Sequence, residues 1–453
     1  MKIRNLILMV IAILILSHKD LNAQQEMSLQ KKVDDYLNVY LQMNLFSGSV
    51  LIAEKGQVLA KGNYGYANAA FDIGNSMETK FRLGSLTKVF TAVAILQLVD
   101  EGKLKLNDPL SKFISDYPGG TAITVENLLT HSSGIPNHTE FEDFNGERRV
   151  YLHTLAQTIN TFKNKTLNFS PGEKTEYSNS NYILLGYILE KVRKMSYEEC
   201  ILQYITEPLG MRNTGYEHPD KMIKEFANGY ILRNNELQNS KYRDMSNAHA
   251  SGALYSTTSD LYLLDRALYT NTLISERSRK LMNIPFKDNF TCGWGTASIF
   301  DHEMVSIAGR IEGCATNFSR FCKDSICIII LSNFENAPIN RINRDLIALV
   351  FNQDYSAPDV EKTIALAETT LKAFAGTYEL KPGFNFKITF EEKRLFCQPT
   401  KQPKLEMFAV SGTDFLLIDV PAHIEFELDS EGNSQKLILK QGKSSISAAR
   451  VNR

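Results

Sequence analysis

The sequence predicts an α+β protein: an antiparallel β-sheet flanked by helices with a large helical insert, followed by a small all-β domain. A β-hairpin pattern near the start and a group of β-rich runs over 291–332 enclose a long, mostly helical stretch. Strands and helices do not alternate in the βαβ manner, so the β-rich runs should pair antiparallel. From residue 374 onward the chain consists of short alternating runs, which are typical of a small barrel or sandwich.

Length and composition indicate a globular protein with room for two domains. The chain has 453 residues, of which 43% are hydrophobic and 22% are charged, and domains usually contain about 100 to 200 residues. The formal net charge of -1 gives no electrostatic reason to expect nucleic acid binding. A small-molecule or peptide substrate is therefore the expected partner, and the oligomeric state is left open.

Residues 1–23 have the pattern of an export signal. Lys2 and Arg4 form a basic segment, Leu6 to Leu16 form an apolar core too short to span a bilayer, and Leu21-Asn22-Ala23 is a plausible cleavage site. We therefore expect a periplasmic or secreted protein with no stable membrane span after signal removal. An uncleaved membrane anchor is the alternative.

The six cysteines are too sparse to indicate a disulfide framework. The sequence contains neither C-x-x-C nor a His/Cys cluster with metal-ligand spacing, so no metal and no cofactor is predicted. Cys322 and Cys327 flank an expected hairpin turn and could form a disulfide. For most of the cysteines, a thiol in the core is the expected state.

The first elements are an amphipathic helix and a hairpin. Apolar residues recur at helical spacing within 28–45, which predicts the helix. Two β-rich runs within 48–68, joined at Glu54-Lys55-Gly56, predict the hairpin.

The stretch from Phe81 to Gly102 predicts a buried helix. After Ser85, sixteen residues contain neither proline nor glycine, ten of them are apolar, and Gly102 ends the run. Apolar residues occupy nearly every side of this helix, so it should be buried rather than lie on a surface. Ser85 and Lys88 are three residues apart in its first turn, and residues at this spacing are neighbours.

A hydroxyl and an amine at the end of a buried helix form a candidate reactive pair. A partly dry environment lowers the pKa of an amine, so Lys88 is a candidate base for the candidate nucleophile Ser85. The N–H groups of the helix N-terminus would favour an oxyanion beside it. The alternative is that Ser85 only caps the helix and Lys88 is solvated, because Ser28 and Lys31 form the same short pattern on an ordinary amphipathic stretch.

The middle of the chain is predicted to be mostly helical from about Ile123 to Met282, with a helix from about Tyr182 to Val192. Strand patterns then return, and a helix over 340–352 ends this part of the chain. The four β-rich runs are Thr291–Ile299, Met304–Ala308, Cys314–Cys322 and Ser325–Ser332.

The C-terminal part is predicted to be a separate domain. Residues 353–371 are polar and include Pro358, which indicates a linker. We therefore divide the chain after the signal into a domain over 24–352, the linker, and a small β-barrel-like domain over 372–453. The last of these contains no convincing catalytic constellation.

Five blocks of sequence resemble, in the same order and at similar spacing, the serine β-lactamase-like and penicillin-binding-protein family. The resemblance covers roughly residues 30–350 and is closest in kind to class C β-lactamases, D,D-peptidases and related esterases. It implies a β-lactamase/transpeptidase-like fold and an exported serine hydrolase acting on an ester, an amide or a β-lactam. The blocks are FRLGSLTKVFTAVAILQLVDEGKLKLNDPL, LLTHSSGIPNH, PGEKTEYSNSNYILLGYILEKV, EPLGMRNTGY and SGALYSTTSDLYLL.

The resemblance implies catalytic roles for individual residues. Ser85 looks like the acylated nucleophile and Lys88 like its proton acceptor. Tyr177 looks like the second acid/base group, and an ammonium in the same pocket would favour its phenolate form. Asn179 looks like the side chain that holds both the substrate amide and Lys88. An acyl-enzyme mechanism needs these parts: a nucleophile, a base and a route for returning the proton.

The third motif of the family is altered in this chain. The family places Lys or His, a small residue and Gly on the strand that lines the pocket, whereas this chain has Ile307-Ala308-Gly309. Isoleucine cannot donate to a substrate carboxylate, although Arg310 or His302 could substitute in charge. The main-chain N–H of Arg310 is still expected to form an oxyanion hole with that of Ser85. Three readings follow: an active esterase or peptidase with a different substrate, a true β-lactamase, or a catalytically weak penicillin- or peptide-binding protein.

Overall fold

The structure is a computed structural model that describes residues 29–234, 236–355, 363–400, 402, 404–417, 420, 422–442 and 444–451. The expected export signal over 1–23 lies outside the described residues, as does the part of the predicted linker over 356–362.

The helices are named in chain order. They are α1 (29–42), α2 (Thr87–Asp100), α3 (Val125–Leu129), α4 (Leu155–Phe162), α5 (Asn179–Arg193), α6 (Tyr197–Ile201), α7 (Glu207–Leu209), α8 (His249–Gly252), α9 (Thr258–Ala267), α10 (Glu276–Asn283), α11 (Ile339–Val350) and α12 (Glu368–Phe374).

The strands of the first domain are β1 (Gly48–Glu54), β2 (Gln57–Tyr64), β3 (Tyr66–Asn68), β4 (Ile73–Gly74), β5 (Phe81–Arg82), β6 (Gly215–Tyr216), β7 (Tyr230–Arg233), β8 (Glu236–Asn239), β9 (Leu254–Ser256), β10 (Gly295–Ile299), β11 (His302–Ile311), β12 (Cys314–Phe321) and β13 (Ile326–Ser332). Those of the second domain are β14 (Gly376–Lys381), β15 (Phe384–Glu391), β16 (Arg394–Pro399), β17 (Leu405–Ala409), β18 (Asp414–Leu417), β19 (Ala422–Leu428), β20 (Ser434–Gln441) and β21 (Ser444–Val451).

A six-stranded antiparallel sheet, in the order β10-β11-β12-β13-β1-β2, is the centre of the first domain. The predicted hairpin joins the four later runs because β1 pairs with β13. Strand β1 shows why the sheet is covered on both faces: Leu51 and Ala53 belong to the core under the helical insert, whereas Val50 and Ile52 pack towards α1 and α11. This α+β architecture confirms the predicted fold class.

Helix α2 lies inside the helical part of this domain and packs against α5 and α8. Its residues from Thr87 to Leu98 are all buried, as the apolar residues on all sides of the helix predict. The polar Thr91 is accommodated because its hydroxyl donates to the main-chain oxygen of Ala250 at 2.7 Å.

The second domain is a closed eight-stranded barrel formed by β14 to β21. Its interior is filled by side chains that alternate with outward ones along each strand, together with Leu371 and Phe374 of α12. The predicted all-β domain is therefore present. Helix α12 begins inside the stretch that the sequence indicated as linker, at Glu368.

The short strands β5, β6 and β9 form a separate three-stranded sheet that the sequence did not indicate. Each contains two or three residues, which is too short for a two-residue alternation to be recognised. The proposed bridge between Cys322 and Cys327 is absent: both thiols are free, as are the other four. Strand pairing explains this, because Cys327 lies opposite Arg320 rather than Cys322.

Candidate active site

Ser85 lies in a 3₁₀ turn, Gly84–Leu86, that leads directly into α2. The residue before α2 is Leu86, and no side chain caps this helix. The Ser85 hydroxyl instead contacts two side chains, the amine of Lys88 at 3.0 Å and the phenol of Tyr177 at 2.6 Å. The capping interpretation of Ser85 is therefore wrong.

The Lys88 amine is buried, with 1% of the residue exposed. Its Nζ donates to the Asn179 Oδ1 and to the main-chain oxygen of Ser251, both at 2.8 Å. Burial lowers the pKa of Lys88 well below its ordinary value. A neutral amine has two N–H donors and one lone pair. With both donors engaged, the lone pair is left for the third neighbour, the Ser85 hydroxyl.

The Tyr177 hydroxyl also contacts the Asn179 Oδ1, at 3.2 Å. Burial raises the pKa of Tyr177 to about 12, and its hydrogen bond with Ser85 offsets this in part. The expected phenolate is therefore disfavoured. A neutral amine beside a protonated phenol is the arrangement that burial of both groups produces, so Tyr177 is placed to pass or donate a proton rather than to act as the resting base.

Asn179 is the first residue of α5, which begins earlier than the predicted Tyr182. Its oxygen is engaged by Lys88 and Tyr177, and its amide nitrogen donates to Asn137 Oδ1 at 3.2 Å and Thr139 Oγ1 at 3.1 Å. The side chain therefore connects the amine and the phenol to the 137–139 segment. The contact expected with Lys88 is present.

The main chain of β11 lies directly against the Ser85 turn. A Cβ placed on Gly309 would lie 3.1 Å from the main-chain nitrogen of Ser85 and 2.2 Å from the oxygen of Leu83. A Cβ on Gly84, whose φ is +54°, would lie 3.2 Å from the nitrogen of Arg310. The main-chain nitrogens of Ser85 and Arg310, which are expected to form an oxyanion hole, therefore lie on the two sides of this narrow contact. The backbones can approach this closely because Gly84 and Gly309 have no side chains.

The charged side chains considered as substitutes for the missing third-motif cation serve other contacts. The Arg310 guanidinium donates to the main-chain oxygens of Glu335 at 2.8 Å and Ala337 at 3.1 Å. His302, at the other end of β11, stacks on Phe351 and lies 3.1 Å from Asp324. Ile307 is partly buried and packs against the core that includes α2. His302 therefore does not belong to this site.

His131, which the sequence does not single out as a site residue, packs against Tyr177 with the ring centroids 4.7 Å apart. Its Nδ1 accepts the main-chain N–H of Ser178 at 3.1 Å. Burial lowers the pKa of His131 to about 3, so the ring is neutral at ordinary pH. Its place in the LLTHSSGIPNH block was the available signal. The block carries the resemblance to the family, but it does not indicate a contact with Tyr177, which is distant in sequence.

A cleft of about 750 Å³ opens at Ser85 and Asn179 and is lined by residues of both domains. In the part of the chain that the structure describes, no group of three or more His, Cys, Asp or Glu side chains is placed to hold a metal ion. None of the described helices combines the length and apolar composition needed to cross a membrane.

The fold and the site together define a class of proteins. An antiparallel sheet carrying a helical insert, with Ser-x-x-Lys on a buried helix and a Tyr-x-Asn segment against it, is the arrangement of serine β-lactamases and penicillin-binding proteins. A family model described as Beta-lactamase matches residues 22–352, and a domain of unknown function (DUF3471) matches residues 361–450. The chain belongs to the Beta-lactamase family, which confirms the resemblance.

Individual proteins are similar to this chain in sequence or in structure. Penicillin-binding protein 4* of Bacillus subtilis (strain 168) is 29% identical over 431 residues, covering 88% of this chain and 93% of the relative. The structure of the octameric penicillin-binding protein homologue from Pyrococcus abyssi has a TM-score of 0.64 and 25% identity, covering 92% of this chain and 99% of that one. D-amino acid amidase from Ochrobactrum anthropi SV3 shares the fold, with a TM-score of 0.64 and 20% identity over 73% of this chain and 99% of the amidase.

Proposed function

We propose that this protein is an exported serine hydrolase that forms an acyl-enzyme on Ser85, with Lys88 as the base and Tyr177 as the proton donor to the leaving group. The observation that carries this proposal is the contact of one hydroxyl, Ser85 Oγ, with a buried amine at 3.0 Å and a buried phenol at 2.6 Å.

The proposed reaction has two steps. In the first, Lys88 takes the proton of Ser85 as Oγ attacks the substrate carbonyl, and the N–H groups of Ser85 and Arg310 stabilise the oxyanion. The proton then passes through Tyr177 to the departing oxygen or nitrogen. In the second, water attacks the carbonyl carbon of the Ser85 ester, and Lys88 and Tyr177 take a proton from the water and return one to Ser85 Oγ as the Oγ–acyl bond breaks. The carboxylic acid then leaves and Ser85 is regenerated.

The substrate class follows from the altered third motif. Ile307 occupies the position where the family places a cation, and an apolar side chain cannot pair with a carboxylate. We therefore propose an ester or amide without an obligatory carboxylate, hydrolysed by an esterase-like or peptidase-like activity. A catalytically weak penicillin- or peptide-binding protein is the second candidate, favoured by the same substitution.

We also propose that the protein is exported. The basic residues, the apolar core and the small-residue site of residues 1–23 support a periplasmic or secreted location.

A substrate panel tests the proposed function. Purified protein and its Ser85→Ala variant are assayed with p-nitrophenyl esters, amino acid amides and a chromogenic cephalosporin. We expect Ser85-dependent turnover of esters, with lower kcat/KM on the carboxylate-bearing cephalosporin. Labelling of Ser85 by fluorescent penicillin without turnover of any substrate would favour the binding protein. Equal activity in the Ser85→Ala variant would contradict the proposal.

A further inference from the structure

The second domain contributes one wall of the cleft that opens at Ser85. Its contribution comes mainly from β16 and β17, and includes Arg394, Phe396, Glu406 and Phe408. Leu395 and Cys397 of β16, and Met407 and Ala409 of β17, fill the barrel interior. Because side chains alternate along a strand, the cleft-lining residues are the outward ones.

The barrel is docked on the first domain rather than only joined to it through the chain. Leu416 is buried in the core beneath the sheet, and Phe408 packs against the same core. Glu392 of the barrel forms ion pairs with two residues of the first domain, Arg233 at 2.7 Å and Lys241. The wall is therefore held in a defined position relative to Ser85.

Several of the charged side chains that line the cleft are paired with an opposite charge. Arg243 lies 2.6 Å from Glu312 on the first domain, and Arg394 lies 3.5 Å from Glu392 on the barrel. Lys404 lies 2.7 Å from Glu391. Such pairs reduce the charge that the cleft offers to a ligand.

Aromatic side chains form part of the apolar lining of the cleft. Phe396 lies opposite Glu406 across β16 and β17, with the cations of Arg394 and Lys404 over its ring at 4.9 and 5.2 Å. Phe144, from the first domain, lines the same cleft. Aromatic faces that are partly exposed in a concave site contribute binding through buried apolar area.

We infer that the outward face of β16 and β17, centred on Phe396, is a substrate subsite that accepts a neutral apolar group attached near the scissile carbonyl. This inference rests on the proposed function and names its substrate class. It makes the barrel a determinant of specificity, in a protein whose third motif lacks the family cation.

Two ester series test the subsite: p-nitrophenyl esters from acetate to octanoate, and acetate esters of phenols with increasingly long alkyl groups. The measured quantity is the ratio of kcat/KM for the longest to the shortest member. Phe396→Ala is compared with Phe390→Ala, an aromatic residue of the same barrel that packs against its interior. Phe396→Thr, a good strand former, replaces Phe396→Ala if that variant does not fold.

We expect Phe396→Ala to lower the ratio about tenfold in at least one series, with little effect on the short ester, and Phe390→Ala to leave it unchanged. An unchanged ratio in both series, or an equal loss for short and long esters, would overturn the inference while Ser85-dependent hydrolysis by the wild type persists. Absence of Ser85-dependent hydrolysis in the wild type would overturn the proposed function and this inference with it.

Discussion

Burial of one amine determines how Ser85 can be activated. In water Lys88 would be protonated at neutral pH and could not accept a proton. Inside the protein its hydrogen-bonding neighbours are the Ser85 hydroxyl, the amide oxygen of Asn179 and the main-chain oxygen of Ser251, all of which are neutral. Because neutral acceptors compensate a charge less well than water does, burial favours the neutral amine.

The first prediction concerns pH. Because burial lowers the pKa of Lys88 well below its ordinary value of 10.5, labelling of Ser85 should rise with pH and level off at a pH well below that value. His131 adds no step in this range, since its pKa is lowered to about 3. The rate of fluorophosphonate labelling between pH 5 and 10 measures this. A rate that still climbs tenfold per unit at pH 10 would show an unperturbed amine.

The second prediction concerns the phenol. Tyr177→Phe removes the hydroxyl that lies 2.6 Å from Ser85 Oγ and should slow acylation by about 10²-fold, the scale of a general acid–base contribution. Tyr182→Phe is the matched control, because this buried phenol donates to the main-chain oxygen of Leu129 and not to Ser85. Equal rates in the two variants would remove Tyr177 from the mechanism.

Much of this site could be predicted from the sequence, because its parts lie in short motifs with recognisable neighbours. Ser85 and Lys88 share a helical turn, and Tyr177 and Asn179 are two residues apart. The protonation state of Tyr177 could not be predicted, since it depends on burial by residues distant in sequence. The place of His131 in the site could not be predicted either, because its ring contact with Tyr177 joins two loops that are separate in sequence.

At the scale of elements, the contact of β11 with the Ser85 turn brings the main-chain nitrogens of Ser85 and Arg310 to the two sides of one narrow gap. Gly309→Ala would place a Cβ 2.2 Å from the Leu83 oxygen, so β11 or the turn must move. We predict a loss of acylation of about 10² to 10³, the cost of disturbing an oxyanion hole. Acylation rates and circular dichroism spectra of the folded variants measure this effect.

Gly295→Ala is the control for that prediction. It lies on the neighbouring strand β10, where the nearest atom to a new Cβ would be 3.5 Å away, an ordinary contact. If Gly309→Ala acylates as fast as Gly295→Ala, the strand does not supply a donor to the site.

Elements were predictable where a pattern repeats over a full strand or helix. The four runs before α11 and the eight strands of the barrel follow alternating or continuous apolar runs. Strands β5, β6 and β9 are too short to show a pattern, and they form because β9 lies between the other two in space. Tertiary contact, rather than local propensity, determines such strands.

At the scale of the whole molecule, the interface between the two domains contains a buried carboxyl. Glu406 of the barrel has a side chain that is 13% exposed, and it accepts from Asn336 at 3.1 Å and from Arg394 at 3.2 Å. Burial raises its pKa from 4.5 to about 7, although both partners oppose the change.

A pH dependence of stability follows from that shift. The buried position of Glu406 favours its protonated, neutral form. The contribution of this group to the free energy of unfolding is therefore complete below about pH 4.5 and is lost as the pH rises through about 7. Glu406→Gln keeps the shape without the charge and should raise the free energy of unfolding by about 3 kcal/mol at pH 8, but not at pH 4.5. Denaturant unfolding at both pH values measures this.

The control is Glu425→Gln, at a more exposed barrel carboxylate paired with Lys440. An increase in the free energy of unfolding of Glu406→Gln that is equal at both pH values would contradict this explanation.

The central claim is that Ser85 becomes covalently acylated. Protein mixed with a p-nitrophenyl ester, quenched in acid within the first turnover and digested, is analysed by peptide mass spectrometry. We predict the mass of the acyl group on the peptide that contains Ser85, in wild type and, more slowly formed, in the Tyr177→Phe variant. An acyl group on another residue, or released product with no acylated peptide at any quench time, would contradict it.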